Sequence, residues 1–297
     1  MRGARIVEVG CGDGSFLKRL VGADAGNTGT GFDLGYRGPA EDLGGRARFV
    51  REQFGPESAA GAADVVVCRH VIEHVPDPVA LLRSVGRAAP GARSFFETPD
   101  VEWIVRRRAV WDLFYEHCSY FSAGSLAAAF EAAGFRVVEV RRVFRGQYLW
   151  VEAEAAHGAG GLPPARGAGS LPALAEEFGA ADRLLVSRWR SQVERLAAAG
   201  GVALWGAGAK GVTFANLVDP DRRLIDCLVD IYPVKQGKYV PGTGHPIAAP
   251  AQLAGRKVQA VLLMNPNYYG EVAAALSATG SEAELIDLTE WAVEDNH

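Results

Sequence analysis

Ile6-Val7-Glu8-Val9-Gly10-Cys11-Gly12-Asp13-Gly14-Ser15-Phe16 reads as a buried strand, a glycine turn and the start of a helix. Ile6, Val7 and Val9 supply the short apolar run of the strand. Gly10, Gly12 and Gly14 then stand at alternate positions, and Ser15 opens a helix with Phe16, Leu17, Leu20 and Val21 on one face. Glycine lets a backbone approach a ligand closely, and the free N–H groups of a helix N-terminus face the ligand's polar end. Nicotinamide and flavin enzymes use close relatives of this turn, and a glycine turn can also hold nothing. The next strand narrows the choice. Thr28-Gly29-Thr30-Gly31-Phe32 ends in Asp33, nineteen residues after Gly14, where an acceptor for ribose hydroxyls belongs.

Glu8 to Gly14 has the form E-x-G-x-G-x-G and resembles motif I of the class I S-adenosylmethionine (SAM) methyltransferases. The resemblance implies SAM as cofactor, with Glu8, Gly10, Gly12, Gly14 and Asp33 holding it. Arg69 and His70, just after the apolar strand Asp64–Cys68, are expected as further walls of that pocket.

Composition bounds the rest. A chain of 297 residues with 48% apolar content suits two domains with full cores. A net charge of −4 with scattered arginines leaves no basic footprint, so no nucleic-acid partner is expected. Cys11, Cys68, Cys118 and Cys227 are far apart, which argues against a zinc ribbon and a disulfide framework. The sequence starts almost directly in a strand, so no signal peptide is expected, and no apolar run reaches membrane-spanning length. A cytoplasmic, thiol-reduced enzyme with a small-molecule substrate and no membrane partner is the expectation; the oligomeric state stays open.

Residues 1–156 alternate strands and helices, as in a mainly parallel sheet covered on both faces. Arg48–Val50, Asp64–Cys68 and Ser94–Phe96 are further strands. Pro78–Ala89 and Ser122–Ala133 are helices, the second with Ser122 as N-cap and Gly134 just past its end. Phe135–Arg145 and Tyr148–Ala155 form a terminal pair with an antiparallel edge. A Gly/Ala/Pro-rich linker is expected at 157–172. Residues 173–297 then repeat the plan. A long helix leads to the strand Val202–Trp205 and to Gly206-Ala207-Gly208-Ala209-Lys210-Gly211, a G-x-G-x-x-G turn, with Asp230 nineteen residues beyond Gly211. The fold class is therefore α/β: a class I SAM-methyltransferase Rossmann-like domain followed by a second Rossmann-like domain.

Two clusters could carry chemistry. His70-Val71-Ile72-Glu73-His74 spells H-x-x-E-H, which on a long helix would bind zinc. Here it follows a strand at once, and Pro76 and Pro78 interrupt it, so no zinc is expected at His70, Glu73 and His74. His70 is either a wall of the cofactor pocket or a satisfied capping histidine; His74 points further out, towards a substrate. Tyr115-Glu116-His117-Cys118-Ser119-Tyr120 sets an acid and an imidazole between phenols, which suits proton abstraction and oxyanion stabilisation. The same stretch also suits an aromatic insertion packed on the next helix.

Glu116-His117 followed by Ser119-Tyr120-Phe121-Ser122 resembles the E-H-x-S-Y-F-S signature of the sugar C-methyltransferases. Gly206–Gly211, Asp230, Lys235–Thr243 and Asn265–Tyr268 resemble that family's C-terminal domain, so the likeness spans nearly the whole chain. It implies C-methylation of a nucleotide-activated keto-deoxysugar, as in deoxysugar and antibiotic biosynthesis. It implies His117 as general base, Glu116 as its acidic neighbour and His74 as an active-site histidine. The family tyrosine two residues before the glutamate falls on Phe114, with Tyr115 adjacent to stand in. Tyr120, Gly208, Lys210, Asp230 and Lys235 are expected on the substrate side. Family members begin with a small zinc-binding domain of clustered cysteines that helps hold the nucleotide sugar, and this sequence has none. O- or N-methylation of another small molecule, a nicotinamide-dependent oxidoreductase using the second glycine turn, and a non-catalytic SAM-fold binder are the alternatives.

Overall fold

The computed structural model describes residues 2–58, 63–155, 169 and 171–291, so most of the expected linker at 157–172 lies outside the described residues. The elements run β1 (Arg5–Val9), α1 (Ser15–Gly22), β2 (Thr28–Phe32), β3 (Glu41–Asp42), β4 (Ala47–Val50), β5 (Val65–Arg69), α2 (Pro78–Ala88), β6 (Arg93–Pro99), α3 (Val101–Arg106), α4 (Ala123–Ala132), β7 (Phe135–Val143) and β8 (Tyr148–Ala155). Then follow α5 (Leu171–Ala199), β9 (Gly201–Trp205), α6 (Ala209–Val218), β10 (Cys227–Val229), β11 (Ile247–Ala248), β12 (Val258–Leu263), α7 (Tyr269–Ala278), β13 (Glu284–Asp287) and α8 (Leu288–Trp291). None of the described helices is long and apolar enough to cross a membrane.

The first compact unit holds an eight-stranded sheet in the order β3-β4-β2-β1-β5-β6-β8-β7. β1, β2, β4, β5 and β6 are parallel, and β8 joins β6 antiparallel with β7 outside it. Alternation along β1 and β5 explains the two-faced burial. Val7, Val9, Val66 and Cys68 belong to the core on one face, while Ile6, Val65 and Val67 belong to the core on the other. Both faces are apolar, so both must be covered, and helices do this. The helix ends match their caps. Asp77 accepts the Ala80 N–H ahead of Pro78, and Ser122 and Ser125 form a reciprocal capping box on α4.

The chain moves from β1 outward through β2 to β4, then crosses to β5 on the other side of β1. Such a reversal leaves a crevice at the carboxyl ends of β1 and β5, where ligands bind in doubly wound sheets. The glycine turn and the His70 loop both leave from that edge. They touch: a Cβ on Gly10, at φ 72°, would lie 2.1 Å from Val71 Cγ2, so only glycine fits there.

The second unit is a five-stranded, fully parallel sheet in the order β11-β10-β9-β12-β13. Its limits differ from a cut at residue 156. Ile104–Phe114, in the middle of the first sequence domain, groups with the second unit. There Trp111 packs with Trp189 and Phe214, ring centroids 4.9 and 5.8 Å away. Three large aromatic side chains gain more from burial together than the segment could find at a surface.

Candidate active site

Gly10 and Cys11 donate their N–H groups to the Phe32 carbonyl, which sets the glycine turn over the end of β2. Asp33 closes the turn, its carboxylate accepting from Gly12 N–H at 2.8 Å and Gly35 N–H at 2.7 Å. Two bonds leave a lone pair open on each oxygen, so the carboxylate could accept further hydroxyl donors. A Cβ added to Gly12 would meet nothing within 4 Å, so the turn is a cradle that a side chain would fill. Glu8 is 3% exposed, and its Oε2 is buried without a hydrogen-bond partner. Burial pushes its carboxyl up to about 7, against the pull of Arg69. A buried acid with an open oxygen beside such a cradle fits a ligand that carries both a cation and a ribose.

Across the crevice, His70 has φ 54°, in the left-handed region that residues with a Cβ rarely adopt. Its Nε2 lies 3.1 Å from Glu97 Oε1 and its Nδ1 3.5 Å from Glu73 Oε1. Burial opposes the charge on this ring, but the hydrogen bonds to Glu73 and Glu97 outweigh it and raise the group to about 9. Its ring also packs edge-on against Tyr148. Arg69 donates to Glu97 and lies 4.3 Å over the Phe16 ring. Arg69 and His70 thus form a cationic wall neutralised by Glu97. Glu97 lies near the end of β6 beside the crevice, a strand-end position that spacing alone could have flagged.

The loop after β5 and the stretch before α4 come together. The Glu73 carbonyl accepts Cys118 N–H and Ser119 N–H at 2.8 and 3.1 Å. The buried Glu73 carboxylate accepts from Thr98 Oγ1 at 3.0 Å. His74 and His117 meet ring to ring, centroids 4.8 Å apart, and Tyr120 lies 5.5 Å from His117. His74 Nδ1 is 3.1 Å from the Glu116 carbonyl oxygen. A carbonyl only accepts, so Nδ1 carries a proton and donates it there, which leaves Nε2 as the nitrogen able to offer a lone pair. The contact that Glu116 makes with His74 is thus through its main chain. Its side chain is exposed, and Tyr115 is fully exposed. One carboxylate oxygen of Glu73 and one ring nitrogen each of His74 and His117 fall within 4.8 Å of one another. The H-x-x-E-H spacing points at His70 as the third member, but that ring is taken by the two glutamates.

In the second unit, the G-x-G-x-x-G turn is tight. A Cβ on Gly211 would lie 1.9 Å from the Gly206 carbonyl oxygen. Gly208 is the N-cap of α6. Asp230 Oδ2 accepts from Ala207 N–H and from the Lys235 ammonium, each at 3.0 Å, while Oδ1 accepts from Tyr232 N–H. Lys210 lies 2.6 Å from Asp112 Oδ1. Lys210, Asp230 and Lys235, expected on the substrate side, thus each hold an ion pair within this unit.

Residues 1–140 match the family model described as a methyltransferase domain, and residues 176–286 match that of the C-methyltransferase C-terminal domain. The C-methyltransferase NovU of Streptomyces niveus is 30% identical over 302 residues, which cover 91% of this chain and 68% of NovU. A ubiquinone biosynthesis O-methyltransferase of Vibrio parahaemolyticus is 34% identical over 106 residues, covering 32% of this chain and 44% of that enzyme. Among solved structures, the O-methyltransferase NcsB1 from neocarzinostatin biosynthesis, in complex with SAM and 2-hydroxy-5-methyl naphthoic acid, aligns at TM-score 0.43 and 24% identity, covering 51% of this chain and 49% of that one.

Proposed function

The chain belongs to the SAM-dependent C-methyltransferase family, and from that membership we propose that it methylates a carbon beside a ketone in a nucleotide-activated keto-deoxysugar. SAM supplies an electrophilic methyl group on a sulfonium. The observation that carries the proposal is the pairing of His74 with His117, with Tyr120 alongside. A carbon next to a ketone is a weak acid, so the chain must take its proton and hold the resulting enolate. His117 is the base. His74 uses its Nδ1–H on the Glu116 carbonyl, and the Tyr120 hydroxyl, beside His117, is assigned the hydrogen bond to the enolate oxygen. The Glu73 carbonyl, accepting from Cys118 and Ser119 N–H, holds the two loops in register while Thr98 fixes the Glu73 carboxylate, and positioning supplies much of the remaining rate. Glu8, Gly10, Gly12, Gly14 and Asp33 are the residues that would hold SAM, with Arg69 and His70 as its far wall. Asp230 is 5% exposed and tied to Lys235, which leaves it poorly placed to take a nicotinamide cofactor's ribose.

The test is direct. Purified protein with SAM and a panel of nucleotide-linked keto-deoxysugars is expected to yield a product heavier by one methylene, with a new carbon–carbon bond by NMR. An O-methylated product, or turnover only of phenols or amines, would overturn the proposal.

The cradle also sets how the cofactor should respond to substitution and to pH. Asp33→Ala is expected to weaken SAM binding by about 1.5–3 kcal/mol, the range for hydrogen bonds involving a charged group; unchanged calorimetric affinity would remove Asp33 from the site. Glu8 is expected to face the SAM ammonium, which favours its ionised form. With its carboxyl raised to about 7, SAM affinity should fall as pH drops below that value, by up to about tenfold per unit. Glu8→Gln should flatten this profile, and a flat wild-type profile would place Glu8 away from the cation.

A further inference from the structure

Glu73, His74 and His117 bring one oxygen and two nitrogen donors within 4.8 Å, a group drawn from two loops far apart in sequence. Two of the three side chains are already tied by hydrogen bonds of the kind that steady metal ligands. Ligating histidines commonly donate their second ring N–H to a carbonyl or carboxylate, which fixes the tautomer and aims the other nitrogen. His74 does this, with Nδ1 on the Glu116 carbonyl and the Nε2 lone pair left over. Glu73 is steadied on both oxygens: Oε2 accepts from Thr98, Oε1 lies 3.5 Å from His70 Nδ1, and the residue is 2% exposed, so a lone pair of one of these oxygens would face the ion. The loops themselves are pinned by Cys118 N–H and Ser119 N–H on the Glu73 carbonyl.

We propose that Glu73, His74 and His117 form an inhibitory site for a divalent cation of the zinc class. The argument is one of donor chemistry. Two imidazoles and a carboxylate suit zinc, cobalt or nickel and are a poor set for magnesium or calcium. Ligands on a tetrahedral zinc stand roughly 3.4 Å apart, so donors that lie within 4.8 Å of one another draw together by at most about 1.4 Å. His74 is exposed and has room to make that movement. Each donor gives one lone pair, and the fourth position keeps a water. The inference rests on the reading of His117 as the base. A ring nitrogen that coordinates a cation cannot take a proton, so an occupied site is a silent enzyme. Chelation restores the lone pair and the activity with it.

Calorimetric titration of the full chain with zinc alone tests the site, and the assay needs no acceptor. One ion per chain is expected, with affinity at least roughly tenfold weaker in His74→Gln and in Glu73→Gln. Cys118→Ser should leave zinc affinity unchanged, and cobalt(II) should bind without a thiolate charge-transfer band. Solvent hydrogen exchange into the acceptor should fall as the site fills and return with a chelator. Zinc affinity unchanged in both variants, loss only in Cys118→Ser, or a thiolate band would overturn the site. Full exchange by the zinc-loaded protein would overturn the inhibition. If instead the chelated enzyme methylates no keto-sugar at all, the substrate proposal fails while the zinc titration stands.

Discussion

His117→Ala is expected to slow methyl transfer by roughly 10²–10⁴, the range for losing a general acid–base group, while SAM affinity stays within about twofold of wild type. The separation is structural. The cofactor cradle is built from the turn after β1 and from Asp33, and His117 sits on a different stretch that leans on the loop after β5. The sharper readout is solvent deuterium at the acceptor carbon in the absence of SAM. Wild type should wash deuterium in, and the variant should not. Exchange at the wild-type rate in His117→Ala would move the base to His74, whose Nδ1 is held by the Glu116 carbonyl and whose Nε2 is the nitrogen able to take a proton. Tyr120→Phe should slow turnover too, with proton exchange reduced because the enolate loses its donor. Glu116→Gln should cost little, since the interaction seen for Glu116 in this site is its main-chain carbonyl on His74.

Trp111→Ala is expected to destabilise the second unit by about 3–5 kcal/mol, as for other fully buried large aromatics. Trp111 is 0% exposed and shares its core with Trp189 at 1% and Phe214 at 0%. Truncation leaves a cavity between α5 and α6 and loosens the neighbouring Asp112, the ion-pair partner of Lys210. Hydrogen exchange reads the effect by region, which a single melting curve of a two-unit chain would blur. Protection should fall in β9 and β12 of the second unit and hold in β1 and β5 of the first. Equal loss in both sheets, or no loss in β9, would mean that Ile104–Phe114 is not an integral part of the second core.

Much of this protein is written locally. The strand–turn–helix at Ile6–Phe16, the acid at Asp33, the second glycine turn with Asp230, and the capped helices at Pro78 and Ser122 are all short-range patterns. Their physics is short-range too: apolar periodicity, left-handed glycines and caps act within a few residues. Those patterns suffice for two Rossmann-like halves and for the family signature at Glu116–Ser122. The pairing of His74 with His117 lies beyond them, because a ring contact across forty-three residues is decided by how two loops pack, not by spacing. So do the roles inside the cluster. The H-x-x-E-H spacing sets His70 beside Glu73 and His74, yet Glu97 near the end of β6 takes the His70 ring and leaves His117 to complete the group. The acid next to His117 in sequence brings its main-chain carbonyl to the His74 ring, a contact that no spacing records. Likewise Ile104–Phe114 sits inside the first sequence domain but belongs to the second core. Trp111 is buried beside Trp189 and Phe214, and no local pattern records where a side chain will find its neighbours.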